Sequence, residues 1–139
     1  FTVHFMKDVY YGSHIDSTLV ALKPGLLLAN PARLSPDTIP PFLKQWEILF
    51  SPPMENQDRY SAAYLEQAIG SEWIDMNLFS LGPDTVVVDR DQTALIKLLE
   101  SHQMEVVPLK LRHSRMMGGG FHCVTLDTRR RGKMESYFD

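Results

Sequence analysis

The sequence predicts a mixed α/β fold in which one strand–strand–helix–strand unit occurs twice. Residues 14–30 match residues 73–89 without a gap, at a spacing of 59 positions. Each matching segment contains two apolar runs separated by a turn with proline, which is typical of paired antiparallel strands. Because the match continues into a similar helix and strand, it favours a true repeat over coincidence, and we expect repeat units at approximately 14–50 and 73–111.

The second copy has the clearer pattern of elements. The run 86–88 consists of valines and fits a buried strand. Apolar residues within 94–99 then recur at helical spacing, and either Asp89 or Asp91 can cap the start of that helix. Residues 105–111 follow as a further strand, which completes the unit.

The first copy has the same order of elements with weaker signals. Its apolar run is 26–28, and a short helical stretch is expected over 36–45, although two prolines interrupt it. Residues 46–50 have the pattern of the closing strand. Between the two copies, residues 60–69 predict a short helix on a surface loop, and Gly70 is suited to end it.

Composition restricts the class of protein. With 139 residues, a formal net charge of -3, 44% hydrophobic and 22% charged residues, the chain fits one modest globular domain or a piece of a larger one. The mild negative charge gives no reason to expect nucleic-acid or membrane partners, and no apolar run approaches the roughly 20 residues that span a bilayer. We therefore expect a cytoplasmic protein. Because the first residues already have the pattern of a strand, we also expect an upstream part before Phe1.

Motifs for bound groups do not occur in the sequence. It has no paired Cys or His spacing for zinc, no phosphate loop and no dinucleotide fingerprint, so no metal or cofactor is expected. A single cysteine excludes an internal disulfide. The arginine run 129–131 is typical of a solvated face or of ion-pair partners, and it lacks the aromatic neighbours of a nucleic-acid site.

The single cysteine, Cys123, follows three consecutive glycines at 118–120. These glycines remove every Cβ, which allows positive φ and the close approach of a ligand. Because residues 124–127 alternate like a strand, we expect a C-terminal strand that carries Cys123 at its start. A lone cysteine is more often a small buried apolar residue than a nucleophile, and the glycine triplet leaves the two interpretations evenly matched.

A thiol nucleophile needs a base or proton donor. His122 neighbours Cys123 on the expected strand and should point to the opposite face, so we discount it as the partner. His14 and Asp16, two positions apart, would lie on one face of a strand and could act together. The alternative for His14 and Asp16 is an ordinary polar strand edge.

Three segments resemble a known family. The glycine–cysteine motif 118–123, with the arginine run 129–131, closely resembles the C-terminal end of the arginine:glycine amidinotransferases. Residues 14–31 resemble the catalytic histidine segment of that family, and residues 73–77 also match it. The resemblance covers nearly the whole chain.

The resemblance implies the pentein fold, a propeller of five strand–strand–helix–strand modules around the active site. Residues 1–139 would be the C-terminal part of one such domain. They would hold about two of the five modules and a cysteine tail at 112–139, and the other modules would be missing from the N-terminal side.

The resemblance also implies a reaction. Cys123 would attack the guanidinium carbon of L-arginine, release ornithine and carry an amidino-cysteine intermediate until an amine acceptor takes the amidino group. His14 would be the general acid and base, and Asp16 would bind the guanidinium. Arg33 and Ser71 match positions that hold the α-carboxylate of the substrate, for which an arginine fork is suited. Without the resemblance, Arg33 is a solvated loop residue and Ser71 a helix cap or turn residue.

Two positions depart from the glycine-accepting members of the family. Those members have an asparagine and a methionine shortly before the catalytic histidine, where this chain has Tyr11 and Ser13. Exchange of methionine for serine opens room and adds a hydroxyl. We therefore expect an acceptor larger than glycine, such as another amino acid or a natural-product precursor.

Two alternatives to the transferase remain open at this stage. One is a guanidine hydrolase similar to arginine deiminase, in which water replaces the amine acceptor. The other is a non-catalytic fragment, because about three modules would be missing. We expect the 139-residue chain alone to be poorly active or inactive, and either to form a homo-oligomer or to need the missing N-terminal modules.

Overall fold

The computed structural model describes residues 3–5, 15–56 and 61–133, and this part of the chain contains two small sheets, three short α-helices and short 3-10 helices. The predicted α/β class is confirmed. The strands are β1 (Leu19–Lys23), β2 (Leu26–Ala29), β3 (Glu47–Phe50), β4 (Phe79–Ser80), β5 (Thr85–Asp89) and β6 (Glu105–Leu109). The α-helices are α1 (Ala62–Gln67), α2 (Thr93–Ser101) and α3 (Ser114–Met117).

The two sheets share one topology. In each sheet the first strand pairs antiparallel with the second, and the second pairs parallel with the third. Val20 lies opposite Leu28 in the first sheet, and Phe79 lies opposite Val87 in the second, which is the same pairing shifted by 59 positions. The register of the strands therefore follows the spacing of the sequence match.

Alternate residues of β2 enter two different apolar cores, which explains why this strand has no polar face. Leu26 and Leu28 belong to a core that both sheets share and to which β5 contributes two valines. Leu27 and Ala29 belong to a second core, packed against the segment between β2 and β3. The shared core fixes the two sheets against each other.

The first unit lacks the α-helix predicted over 36–45. Turns and a 3-10 helix at Pro41–Leu43 occupy this stretch. The cause is the pair of prolines, because a residue that precedes proline is pushed out of the helical region, and Pro40 accordingly has a ψ of 136°. The segment still supplies apolar side chains to the second core.

Each unit opens with a 3-10 helix where the sequence predicts a strand. The two helices are Ile15–Ser17 and Ile74–Met76. Asp16 therefore lies on a tight turn, and the prediction that it shares a strand face with His14 is wrong. Exposed Ile15 and buried Ser17 show that this turn does not follow the expected strand alternation. His14 itself lies outside the described residues.

The prediction that Cys123 lies on a C-terminal strand is also wrong. Cys123 lies in a turn at 121–124, and no strand follows it up to residue 133, where the described part ends. The Thr125 N–H donates to the His122 oxygen at 3.2 Å, and the Thr125 hydroxyl donates to the Phe121 oxygen at 3.0 Å. These local bonds use backbone groups that a strand would direct to a neighbouring strand.

The helix α2 is capped by a residue from the loop after β3. The Glu55 carboxylate accepts the N–H of Ala94 at 2.8 Å and the hydroxyl of Thr93, and the Ala94 bond is the main reason why the pKa of Glu55 is lowered. The predicted caps are wrong, because the Asp89 side chain accepts the N–H of Asp91 at 3.0 Å instead. A polar side chain thus closes the turn after β5 while a distant carboxylate caps the helix.

Candidate active site

Cys123 belongs to a glycine loop that leaves helix α3. The helix ends at Gly118, whose φ of 67° lies in the left-handed region and whose N–H donates to the Ser114 oxygen. Glycine adopts this conformation without the penalty that a Cβ imposes. The loop that follows packs against the end of the 3-10 helix Ile74–Met76 at Asn77.

Gly120 approaches Asn77 too closely for any side chain. A Cβ on residue 120 would lie 2.5 Å from the backbone oxygen of Asn77 and 2.7 Å from its Oδ1. Such atoms essentially never come closer than 3.0 Å, so a residue with a Cβ fits here only if the loop shifts. Packing against Asn77 therefore accounts for the last glycine of the triplet.

The Asn77 side chain joins the cysteine loop to Asp16. Its Oδ1 accepts the backbone N–H of Cys123 at 3.1 Å, and its Nδ2 donates to Oδ2 of Asp16 at 2.5 Å. Its backbone oxygen accepts the N–H of His122 at 3.3 Å. Because Asn77 is 1% exposed, these bonds form away from bulk water and fix the cysteine loop relative to Asp16.

The carboxylate of Asp16 has one engaged oxygen and one without a partner. Oδ2 accepts from Asn77 and lies 3.1 Å from Nδ1 of His122. Oδ1 is buried and has no hydrogen-bond partner among the described residues. A cationic N–H group that reached Oδ1 would therefore form a charge-assisted hydrogen bond and remove a costly unsatisfied atom.

His122 lies beside Asp16, which the sequence did not predict. The sequence predicts His122 on a strand, where neighbouring side chains point to opposite faces, but residues 121–124 form a turn. Its side chain is 66% exposed and its Nδ1 faces the Asp16 carboxylate. His122 is thus a titratable group of the site in addition to the predicted His14.

A cleft of about 270 Å³ opens beside Asp16, lined by β1, β4 and the cysteine tail. Arg130 lies at its edge, where its Nε donates to Asp127 at 2.5 Å and its Nη2 donates to the Ser80 oxygen at 2.6 Å. The middle residue of the arginine run is therefore an ion-pair partner, in line with one of the two interpretations of that run. The volume of the cleft suits a ligand of amino-acid size.

Arg33 is bound to the turn that carries Asp16. Its Nη1 donates to the hydroxyl oxygen of Ser17 at 2.9 Å and to that of Thr18 at 2.6 Å. The amide of Asn30 donates to the Ser17 oxygen at 2.7 Å, so the loop after β2 is fixed to this turn twice. Arg33 is therefore half-buried next to Asp16 and is not a freely solvated loop residue.

Ser71 lies at the start of the second unit as a turn residue. Its hydroxyl accepts the N–H of Trp73 at 3.1 Å, and its backbone oxygen accepts the N–H of Ile74 at 3.1 Å. The preceding Gly70 donates to the Arg115 oxygen at 2.8 Å, which attaches this turn to helix α3. These contacts match the interpretation of Ser71 as a turn residue.

The structure thus brings together only part of the predicted site. Cys123, Asp16 and Arg33 lie in one connected region, whereas Tyr11, Ser13 and His14 fall outside the described residues. Sequence reasoning missed Asn77 as a site residue. The available signal was a single amide placed between the apolar residues at 76 and 78, within a segment that resembles the family.

Asp75 occupies in the second unit the position that Asp16 has in the first. Burial, with the negative charge of Asp89 as a smaller cause, raises the pKa of Asp75 to about 7. Its Oδ2 is buried without a hydrogen-bond partner among the described residues, and so are two guanidinium nitrogens of Arg115. The charge of Arg115 offsets only part of the cost of ionising Asp75.

We predict that replacing Asp75 by asparagine removes a pH-dependent loss of stability. The pKa of Asp75 is about 7 in the folded state and 3.8 in the reference state, so the folded protein keeps this proton up to a higher pH than the unfolded chain. The free energy of unfolding therefore falls as pH rises between these two values. Above this range the variant should be more stable by a few kcal/mol, to order of magnitude. Urea unfolding of both proteins between about pH 5 and 8 measures this, and parallel stability curves would contradict it.

The described residues contain neither a metal cluster nor a membrane-spanning helix. No group of three or more His, Cys, Asp or Glu side chains in this part of the chain could hold a metal ion. None of the helices described is long and apolar enough to cross a membrane. Cys123 is exposed and forms no disulfide.

Repeated α/β units of this topology, with a cysteine loop fixed to an aspartate, define the chain as part of a pentein-type protein. The solved structure of the inosamine-phosphate amidinotransferase of Streptomyces griseus matches 100% of this chain with a TM-score of 0.90 and 47% identity, and the match covers 39% of that protein. No protein-family model matches the chain.

Two curated relatives agree with the structural match. The inosamine-phosphate amidinotransferase 1 of Streptomyces glaucescens is 47% identical over 137 residues, which are 99% of this chain and 38% of that protein. The L-arginine:L-lysine amidinotransferase of Pseudomonas savastanoi pv. phaseolicola is 39% identical over 124 residues, which are 89% of this chain and 32% of that protein. The chain therefore belongs to the amidinotransferase family. It spans about two fifths of the length of the Streptomyces glaucescens protein.

Proposed function

We propose that this chain is the C-terminal catalytic part of an amidinotransferase that moves the amidino group of L-arginine to an amine acceptor. The observation that carries the proposal is the connection of Cys123 to Asp16 through Asn77, beside a cleft of amino-acid size. A thiol and a carboxylate with an unpartnered oxygen are what a reaction at a guanidinium carbon requires. The family of the chain supports the same reaction.

In the proposed first step the Cys123 thiolate attacks the guanidinium carbon. A C–S bond forms, the bond from that carbon to the side-chain nitrogen of arginine breaks, and ornithine leaves as its amine accepts a proton from His14. Asp16 holds the guanidinium through the oxygen that has no partner in the described residues. The product on the protein is an S-amidino-cysteine.

In the second step the acceptor amine loses a proton to His14 and attacks the amidino carbon. The C–S bond breaks, and the thiolate of Cys123 is regenerated together with a guanidino product. Arg33 and Ser71 are proposed to hold the α-carboxylate of arginine. The bonds of Arg33 to Ser17 and Thr18, on the turn that carries Asp16, support its part, because a guanidinium in this region can pair with a carboxylate.

We further propose an acceptor larger than glycine. Tyr11 and Ser13 replace the residues that glycine-accepting members carry. Two relatives are named for an inosamine phosphate and for lysine, and neither of these acceptors is glycine. A cyclic amino alcohol phosphate or a larger amino acid is therefore the acceptor class that we propose, with a cytoplasmic location as the matching expectation for a biosynthetic enzyme.

We predict that the full-length protein prefers such an acceptor. Arginine supplied with glycine, lysine or an inosamine phosphate should give ornithine in every productive case, with the smallest yield of guanidino product from glycine. Mass spectrometry of the guanidino products and of ornithine measures this preference. A preference for glycine would contradict the acceptor proposal, and ammonia with citrulline in place of ornithine would assign the protein to the guanidine hydrolases.

A further inference from the structure

We propose that Asn77 is a positioning residue that sets the distance between the guanidinium-binding carboxylate of Asp16 and the loop of the nucleophile Cys123. This inference rests on the proposed function and adds to it a residue that contacts neither arginine nor the acceptor. Asn77 lies 61 positions from Asp16 and 46 from Cys123, so it joins segments that are distant in the sequence.

Asp16 and Cys123, the two partners of the Asn77 side chain, need opposite hydrogen-bonding groups. The Asp16 carboxylate only accepts, and the Cys123 backbone N–H only donates. A side-chain amide offers a donor and an acceptor on the same carbon, and Asn77 uses its Nδ2 for the first and its Oδ1 for the second. Aspartate supplies only the acceptor when it is ionised, and leucine supplies neither group.

The surroundings of Asn77 leave it little freedom to move. It is 1% exposed, its backbone oxygen accepts the N–H of His122, and Gly120 packs directly against it. A shift of this side chain would therefore move the cysteine loop and Asp16 relative to each other. Misplacement of reacting groups by about 1 Å can cost roughly 100-fold in rate.

The bond from Asn77 also determines which oxygen of Asp16 remains for substrate. It engages Oδ2, which His122 also faces, and leaves Oδ1 without a partner in the described part of the chain. Asn77 thus orients the carboxylate as well as the loop. A merely structural amide would stabilise the fold without controlling how a guanidinium is placed beside the thiol.

The variant Asn77→Asp separates these two roles because it keeps the shape and the acceptor for Cys123. When ionised, it places a second carboxylate against Asp16, and the pair then shares a proton as pH falls. The shared proton restores the donor to Asp16, with His122 as the other titratable group that faces this carboxylate. We expect the arginine KM near about pH 8 to rise roughly 10- to 100-fold, with a smaller change in kcat.

The pH profile and an activity-independent assay complete the test in the full-length protein. The ratio of kcat/KM between Asn77→Asp and the wild type should rise as pH falls. In parallel, the Cys123 peptide is followed by mass spectrometry during alkylation with chloroacetamidine and with iodoacetamide. The wild type should prefer the amidine, and the variant should lose that preference at high pH and regain it at low pH.

Each outcome bears on one proposal. If the wild type transfers the amidino group while the variant keeps its KM and its amidine preference at every pH, the positioning role is wrong and the function stands. If the wild type makes no guanidino product while the amidine preference depends on Asn77, the function is wrong and the positioning role stands. Should Asn77→Asp not fold, the variant Gly120→Ala displaces the same contact from the cysteine side.

Discussion

Replacing Cys123 by alanine is expected to abolish amidino transfer and to leave the fold intact. The thiol forms the bond to the amidino carbon in the proposed reaction, and loss of a nucleophile of this kind costs roughly 10⁵-fold or more in kcat. Since Cys123 is exposed and its hydrogen bond to Asn77 uses the backbone N–H, the substitution removes little packing. Ornithine release from arginine, measured with the full-length protein, is the direct assay.

Thermal unfolding provides the control for Cys123→Ala. The unfolding temperature should match that of the wild type within a few degrees, as expected for a substitution at the surface. Turnover within about tenfold of the wild type would show that another group attacks the guanidinium, since a nucleophile contributes far more than that factor. If neither full-length protein released ornithine, the proposed amidino transfer would be wrong.

Replacing Gly120 by alanine is expected to reduce turnover by roughly 100-fold, the cost of misplacing reacting groups by about 1 Å. The added Cβ meets the backbone oxygen and the side chain of Asn77, so the cysteine loop has to shift. The effect should appear in the alkylation rate of Cys123 by chloroacetamidine as well as in ornithine release. Both measurements report on the position of the thiol relative to Asp16.

Gly132→Ala is the matched control, because a Cβ on Gly132 meets no atom within 4 Å in the described residues. This variant carries the same chemical change in the exposed tail. Its turnover and alkylation rate should equal those of the wild type. Equal rates for Gly120→Ala and Gly132→Ala would contradict the account of the glycine triplet given above.

The apolar strands could be predicted because burial acts on every residue of them. The run 26–28 is buried on both faces, and the same holds for 86–88, so composition alone identifies each strand. Strand pairing followed from the 59-residue spacing, since equivalent positions take equivalent places in the two sheets. Each of these features is therefore visible in the sequence as an apolar run or as a repeated spacing.

The starts of the two units could not be predicted in the same way. Three residues such as 15–17 fit a strand edge and a 3-10 turn equally well, because period and length cannot separate structures so short. The helix predicted over 36–45 is missing because of two prolines. Their effect on the preceding residue outweighed the apolar positions that favoured a helix. Local sequence thus gave the elements more reliably than their ends.

The sequence identified the reactive residues of the candidate site but not the contacts that hold them together. Cys123 and Asp16 carry recognisable reactive groups, whereas Asn77 is an ordinary amide until the fold brings it between them. The strand placement of His122 was wrong because residues 121–124 form a turn. A residue such as Asn77 becomes a site residue through contacts between distant segments, and no spacing within one segment predicts these contacts.

The proposed S-amidino-cysteine intermediate can be trapped on Cys123. The full-length protein is incubated with arginine in the absence of an acceptor, quenched in acid and digested, and the Cys123 peptide is analysed by mass spectrometry. We predict one amidino group on Cys123 for each ornithine released, and a slower build-up of this group in Asn77→Asp at high pH when arginine is kept well below its KM. Ornithine released in the first turnover with an unmodified Cys123 peptide would contradict the account.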